Sequence, residues 1–127
     1  MSEANAELDD LIDRASDGDE NALHTLFDLP DAELEIVIAR FRGEESPRKR
    51  EVIVEAVWQH RRPQDLGFLL CAVDDSAEVV WKQALDGIVT LGGEEARVEL
   101  ERLRSALDGN DPRTPWIDEA LQQLGSV

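Results

Sequence analysis

A short string of small and apolar residues recurs four times along the 127 residues, and it limits the chain to a narrow set of folds. Gly87-Ile88-Val89-Thr90-Leu91-Gly92 matches Ala120-Leu121-Gln122-Gln123-Leu124-Gly125 at its small, aliphatic and closing Leu-Gly positions. Ala56-Val57-Trp58-Gln59-His60 is the same string without its closing leucine and glycine, and Ala22-Leu23-His24-Thr25-Leu26 is a fourth copy. The steps from Ala22 to Ala56, Gly87 and Ala120 are 34, 31 and 33 residues. A period near 33 holds two helices and their turns, and a lone helical hairpin cannot bury its apolar face. Stacked hairpins can. The small residue in mid-string (Ala22, Ala56, Gly87, Ala120) lets neighbouring helices approach closely, because interaxial distance is set by the side chains at the contact.

Local signals predict eight helices. Leu8, Leu11, Ile12 and Ala15 fall at helical spacing between Glu7 and Ser16, with Gly18 as a stop. Asp19 opens a short helix closed by Leu29-Pro30. Asp31 is a fitting N-cap for the next, which carries Leu34, Ile38 and Phe41 on one face and ends at Gly43. Ser46-Pro47 starts a fourth, running to about His60, because proline suits the first helical turn. Val52-Ile53-Val54 reads as strand by propensity alone, but Ile53, Val57 and His60, with Ala56, keep one helical face for three turns. Arg62-Pro63 begins a fifth helix reaching about Val73, and Asp75 to Glu78 has the capping-box spacing for a sixth. The seventh spans about Glu94 to Leu107, and Thr114-Pro115 opens the last. The hairpins cover about 4–29, 31–60, 63–91 and 94–125, one domain over residues 1–127.

Within this frame the segment from Val79 to Ala96, with Leu100 and Leu103, resembles the HEAT-repeat and HEAT-like family of α-solenoids. Asp75, Val80, Ala84, Ile88, Leu91 and Gly92 stand at positions that match the family's second helix, while Trp81 replaces its usual arginine. The resemblance is good over 76–107, fair over 113–125 and weak over 1–60. It implies an all-α, right-handed solenoid of about four antiparallel hairpins. Members of the family are mostly protein-binding scaffolds; some look like bilin lyases or DNA-repair glycosylases, and toxin-immunity proteins also use such repeats. The resemblance fixes architecture far better than function.

Charge narrows the functional classes. Thirteen Lys and Arg oppose 29 Asp and Glu, a formal net charge of -16. Residues 1–39 carry -11, residues 40–62 carry +3 and residues 63–127 carry -8. Nucleic acid and anionic membranes repel such a surface, which argues against both as partners and against a glycosylase groove. No apolar run approaches the roughly 20 residues of a spanning helix, and Met1-Ser2-Glu3-Ala4 is acidic where a signal peptide is basic. A single cysteine excludes an internal disulfide and suits a reducing cytoplasm. Cys71 lies in the apolar string Phe68 to Val73, where a buried thiol is expected.

No reaction is specified. His24 and His60 lie in different repeats, and no Ser, Cys or His trio is suggested by spacing. Asp13-x-x-x-Asp17-Gly18 and Asp108-Gly109-Asn110-Asp111 resemble calcium loops, but Ala15, His24, Pro112 and Arg113 stand where ligands or glycine belong. Both read as turns. The expectation is a non-enzyme with no catalytic residue, metal or cofactor; an enzyme resembling the bilin lyases is the alternative from another class.

The docking face follows from helix geometry. With Ala84 facing the core, 100° per residue puts Val80, Gly87, Ile88 and Leu91 within about 60° of it and sends Lys82, Asp86 and Val89 outward. The repeat offsets then give two rows on the second helices. One is Asn21, Glu55, Asp86 and Glu119; the other is His24, Trp58, Val89 and Gln122. Glu55, Trp58, Asp86, Val89, Glu119 and Gln122 are the expected partner-binding residues, an acidic strip beside an aromatic. A basic protein is the expected partner. Its most concrete form is a toxin that the chain would inhibit as an immunity protein, because complementary charge speeds encounter.

Overall fold

The computed structural model describes residues 3–125; the opening Met1-Ser2, part of the acidic N-terminal tetrapeptide, lies outside them. The described residues form eight α-helices and two short 3₁₀ turns, with no strand among them. The helices are α1 (Glu3–Ser16), α2 (Glu20–Phe27), α3 (Asp31–Arg40), α4 (Pro47–Gln59), α5 (Leu66–Ala72), α6 (Glu78–Leu91), α7 (Glu94–Ala106) and α8 (Thr114–Gly125). Consecutive helices pair as α1 with α2, α3 with α4, α5 with α6 and α7 with α8. The second members also touch in series, α2 with α4, α4 with α6 and α6 with α8.

The start signals act mostly as their chemistry requires. The Asp19 carboxylate accepts from the Asn21 and Ala22 N–H groups, and the Ser46 hydroxyl accepts from the Lys49 N–H with Pro47 in the first turn. Three expectations are corrected. Asp31 is the first helical residue of α3, not its cap, because Pro30 holds the extended cap backbone. The segment after Arg62 is not one helix: Pro63–Asp65 forms a 3₁₀ turn before α5. The capping box at Asp75 does not form. Ala77 is the cap residue of α6, and the Asp75 carboxylate accepts from the Ala77 N–H while pairing with Arg50.

Helix α4 is the hinge of the packing. It buries Val52, Ile53, Val54, Ala56 and Val57, more than one stripe, because helices cover it on two sides. Ile53, Ala56 and Val57 join Leu8, Ile12, Ala22, Leu26, Leu34 and Val37 in one core. Val54 faces a second, with Leu69, Val80, Ala84, Ile88, Leu100 and Ile117. That double coverage explains a β-branched run inside a helix: packing overrides propensity. Helix α3 buries Leu34 and Val37, while Ile38 and Phe41 are half-buried, one position off the expected face.

Cys71 is exposed, against the expectation of a buried thiol. Helix α5 buries only Leu66, Leu69 and Ala72, and Cys71 falls on its uncovered side beside Gly67.

Polar clips join hairpins at their loop ends. Arg50 donates to the Asp75 carboxylate at 2.9 and 3.1 Å, with side chains only 14% and 9% exposed. Arg113 donates to the Val73 carbonyl and to Asp74, each at 3.1 Å. Arg48 donates to the Ser16 carbonyl, Lys49 pairs with Asp13 and Arg40 with Asp9. Arg62 gathers Asp31, Glu35 and Asp65. Arg40, Arg48, Lys49, Arg50 and Arg62, five of the seven bases in residues 40–62, are therefore engaged within the molecule rather than presented as one free patch. His60 Nε2 lies 3.0 Å from the Leu26 carbonyl; a carbonyl only accepts, so that ring nitrogen carries the proton. A histidine at the repeat's closing-leucine position thus links the first two hairpins.

Candidate docking face on the second helices

The outward-facing residues of α4, α6 and α8 emerge because each helix buries only the stripe that meets its neighbours. On α6, Val80, Trp81, Ala84, Leu85, Gly87 and Ile88 are buried, which leaves Asp86 exposed and Lys82 and Val89 half-covered. Leu91 is also half-covered, so the inward stripe weakens toward the helix end. On α8, Ile117 and Ala120 go inward, and Glu119 and Gln122 are exposed. On α4, Glu55 is half-buried.

Glu55, Asp86 and Glu119 have no cation within ion-pairing distance among the described residues, although most arginines of the chain are paired. Burial pushes the Glu55 carboxyl above the usual carboxylate range; Glu51 and Asp86 add repulsion, and Arg48 partly opposes them. Burial also raises Asp86. Neither carboxylate has an ion-pair partner among the described residues, so a cation brought to this face would favour the charged form of both.

The structure places Trp58 differently from a free anchor. Its indole N–H donates to the Gln83 Oε1 at 2.6 Å, and its ring rests on Gly87 of α6. A Cβ at Gly87 would come within 2.7 Å of the Trp58 Cβ. The small residue of the repeat thus permits a close α4–α6 contact, and Trp58 is half-buried in it. Trp81 is 5% exposed and packs inward.

Asp86, Val89 and Glu119 converge on a groove of about 240 Å³ between α6 and α8. Lys82, Leu85, Asp86 and Val89 line one wall, and Trp116, Glu119, Ala120 and Gln123 the other. Each set has the spacing i, i+3, i+4, i+7 that puts residues on one helical face. Glu55, Trp58 and Gln122 do not line it.

Sequence reasoning missed Trp116, the most exposed of the tryptophans, at 44%. Its ring meets Trp81 edge-on at 6.4 Å, and the Lys82 ammonium sits 4.0 Å from its centroid. The signal was available: a tryptophan in the opening turn of α8, 33 residues beyond the Gln83 that holds Trp58.

Elsewhere polar groups are engaged locally. Asp108 and Asp111 accept from the Asn110 and Arg113 N–H groups, turn contacts that use the carboxylates of the calcium-like string. The Arg113 guanidinium, with the Arg113 N–H, holds the Asp111 carboxyl at about 2. Among the described residues no three His, Cys, Asp or Glu side chains gather as a metal-binding group. No helix of the described residues is long and apolar enough to cross a membrane.

Comparison with protein-family models, with curated proteins and with solved structures gives no match.

Proposed function

We propose that the chain is a non-catalytic protein-binding module, a right-handed HEAT-like α-solenoid of four hairpins whose second-helix face recruits a basic protein. The serial contacts of α2, α4, α6 and α8 support the stacked arrangement. The observation that carries the binding reading is the row of Glu55, Asp86 and Glu119, three carboxylates on three helices with no internal ion-pair partner among the described residues. An inhibitor of a toxin with a nucleic-acid-binding surface is the particular form the charge favours, because such an enzyme presents the complementary field.

Replacing Glu55, Asp86 and Glu119 together by glutamine tests the reading. Crosslinked pull-down from the native host supplies the partner, and stopped-flow association supplies the rate. The expected result is unchanged helix content, slower association and a flatter dependence on salt. An association rate and salt slope equal to the parent's would refute this face. For the toxin form, co-expression with a toxin encoded beside the gene should restore growth; a partner that is acidic or harmless to cells would refute it.

A further inference from the structure

We propose that the α6–α8 groove is a receptor for one arginine side chain of the basic partner, with the guanidinium stacked on Trp116 and paired with Asp86 or Glu119, and with Lys82 as a tethered competitor for that place. The proposal rests on the reading above that this face meets a basic protein, and it identifies what enters.

Three observations converge on it. The first compares the two junctions between second helices. At the α4–α6 junction the planar indole of Trp58 lies on Gly87 and donates to Gln83. The repeat offsets of 31 and 33 map Trp58, Gln83 and Gly87 onto Val89, Trp116 and Ala120 at the α6–α8 junction. There the indole position holds a valine, and the groove of about 240 Å³ is open. One junction fills itself with a planar group; the next leaves room for one.

The second observation is chemical. The groove carries an aromatic face and carboxylates on both walls, Asp86 from α6 and Glu119 from α8. Guanidinium is planar, weakly hydrated, stacks on aromatic rings and forks onto carboxylates, so it uses both features at once.

The third is Lys82. Its ammonium already lies 4.0 Å from the Trp116 centroid while pairing with Glu78 one turn back. A cation therefore fits over this ring. The Glu78 carboxylate gives Lys82 a counter-charge that does not depend on Trp116.

The test uses the intact protein with acetyl-Arg-Arg-Arg-amide and its lysine counterpart, read by the indole ¹⁵N–¹H resonance of Trp116 against those of Trp58 and Trp81. The arginine peptide should move the Trp116 signal first and bind several-fold tighter than the lysine peptide. By isothermal titration calorimetry, which needs no Trp116 signal, Trp116→Leu and Asp86→Asn should each weaken arginine-peptide binding about fivefold, the size of a partly desolvated cation–π or ion-pair contact. Lys82→Met keeps the stem and removes the charge, and it should tighten binding at least about threefold. A purely structural Lys82 predicts no tightening. A Trp116 signal that stays fixed at millimolar peptide, equal binding of both peptides, or unchanged or weaker binding by Lys82→Met would overturn the proposal. Peptide binding at Trp116 with no basic partner captured would sink the general reading while this site stood. Partner capture untouched by Trp116→Leu would do the reverse.

Discussion

Gly87→Ala adds one methyl group at the tightest glycine position among the described residues. An ideal Cβ there lies 2.7, 2.8 and 2.9 Å from the Cβ, Cγ and Cδ1 atoms of Trp58. Carbon atoms in good contact sit about 3.5–4.0 Å apart, so the overlap approaches 1 Å. The first atom struck is joined directly to the α4 backbone, so the side chain cannot simply swing clear. Relief requires α4 and α6 to part, and any turn of the indole that eases its Cγ and Cδ1 overlaps also loses its 2.6 Å bond to Gln83. In an exposed helix the same substitution would stabilise by about 1 kcal/mol, because glycine is a poor helix former. Overpacking costs about 1–3 kcal/mol, and a lost hydrogen bond about 1 kcal/mol. The net expectation is a loss of about 1–3 kcal/mol, or about 4–12 °C in Tm for a domain of this size. In a Trp58→Ala background the 2.7 Å overlap with the Cβ of residue 58 remains while those with Cγ and Cδ1 go, so the loss should shrink by about 1 kcal/mol, which is the coupling. Urea unfolding of the four proteins measures it. A Gly87→Ala variant as stable as the parent, or the same effect in both backgrounds, would refute the close packing of α4 on α6.

Arg50→Met should cost about 2–4 kcal/mol in urea unfolding, because it leaves the buried Asp75 carboxylate and the Glu44 and Glu45 carbonyls without their donor. Glu55→Gln should be more stable than the parent near neutrality. Burial raises the folded-state pKa of Glu55, so its favourable contribution is present at low pH and is lost as pH rises through that value; the variant's advantage should shrink on acidification, as pH-dependent unfolding will show. Cys71 should react with a thiol reagent in the native protein at a rate close to that in urea, since its side chain is exposed; protection of orders of magnitude would contradict the outward face of α5.

The sequence carried the helical units because helix formation is largely a local matter. Apolar residues every three to four positions, Asp19 and Ser46 as caps and the glycines that end helices act within a turn or two of where they stand. The period of small residues also carried one long-range fact, the close approach at Gly87, because a missing side chain has one obvious use in a repeated helix. The inward stripe of α6 around Ala84 was legible for the same reason.

Other features depend on which surfaces meet, and hairpin packing decides that. Asp75 has the spacing of a capping box, yet Arg50, 25 residues away, draws its carboxylate into a buried ion pair. Cys71 has apolar neighbours in sequence, yet only one stripe of α5 is covered. Trp58 and Val89 occupy equivalent repeat positions, yet one fills its junction while the other borders an open groove with Trp116 on its opposite wall. Periodicity assigns a residue to a face of its own helix. What covers that face comes from another hairpin, through contacts set by side-chain volume and charge across tens of residues, and only the assembled structure brings those partners together.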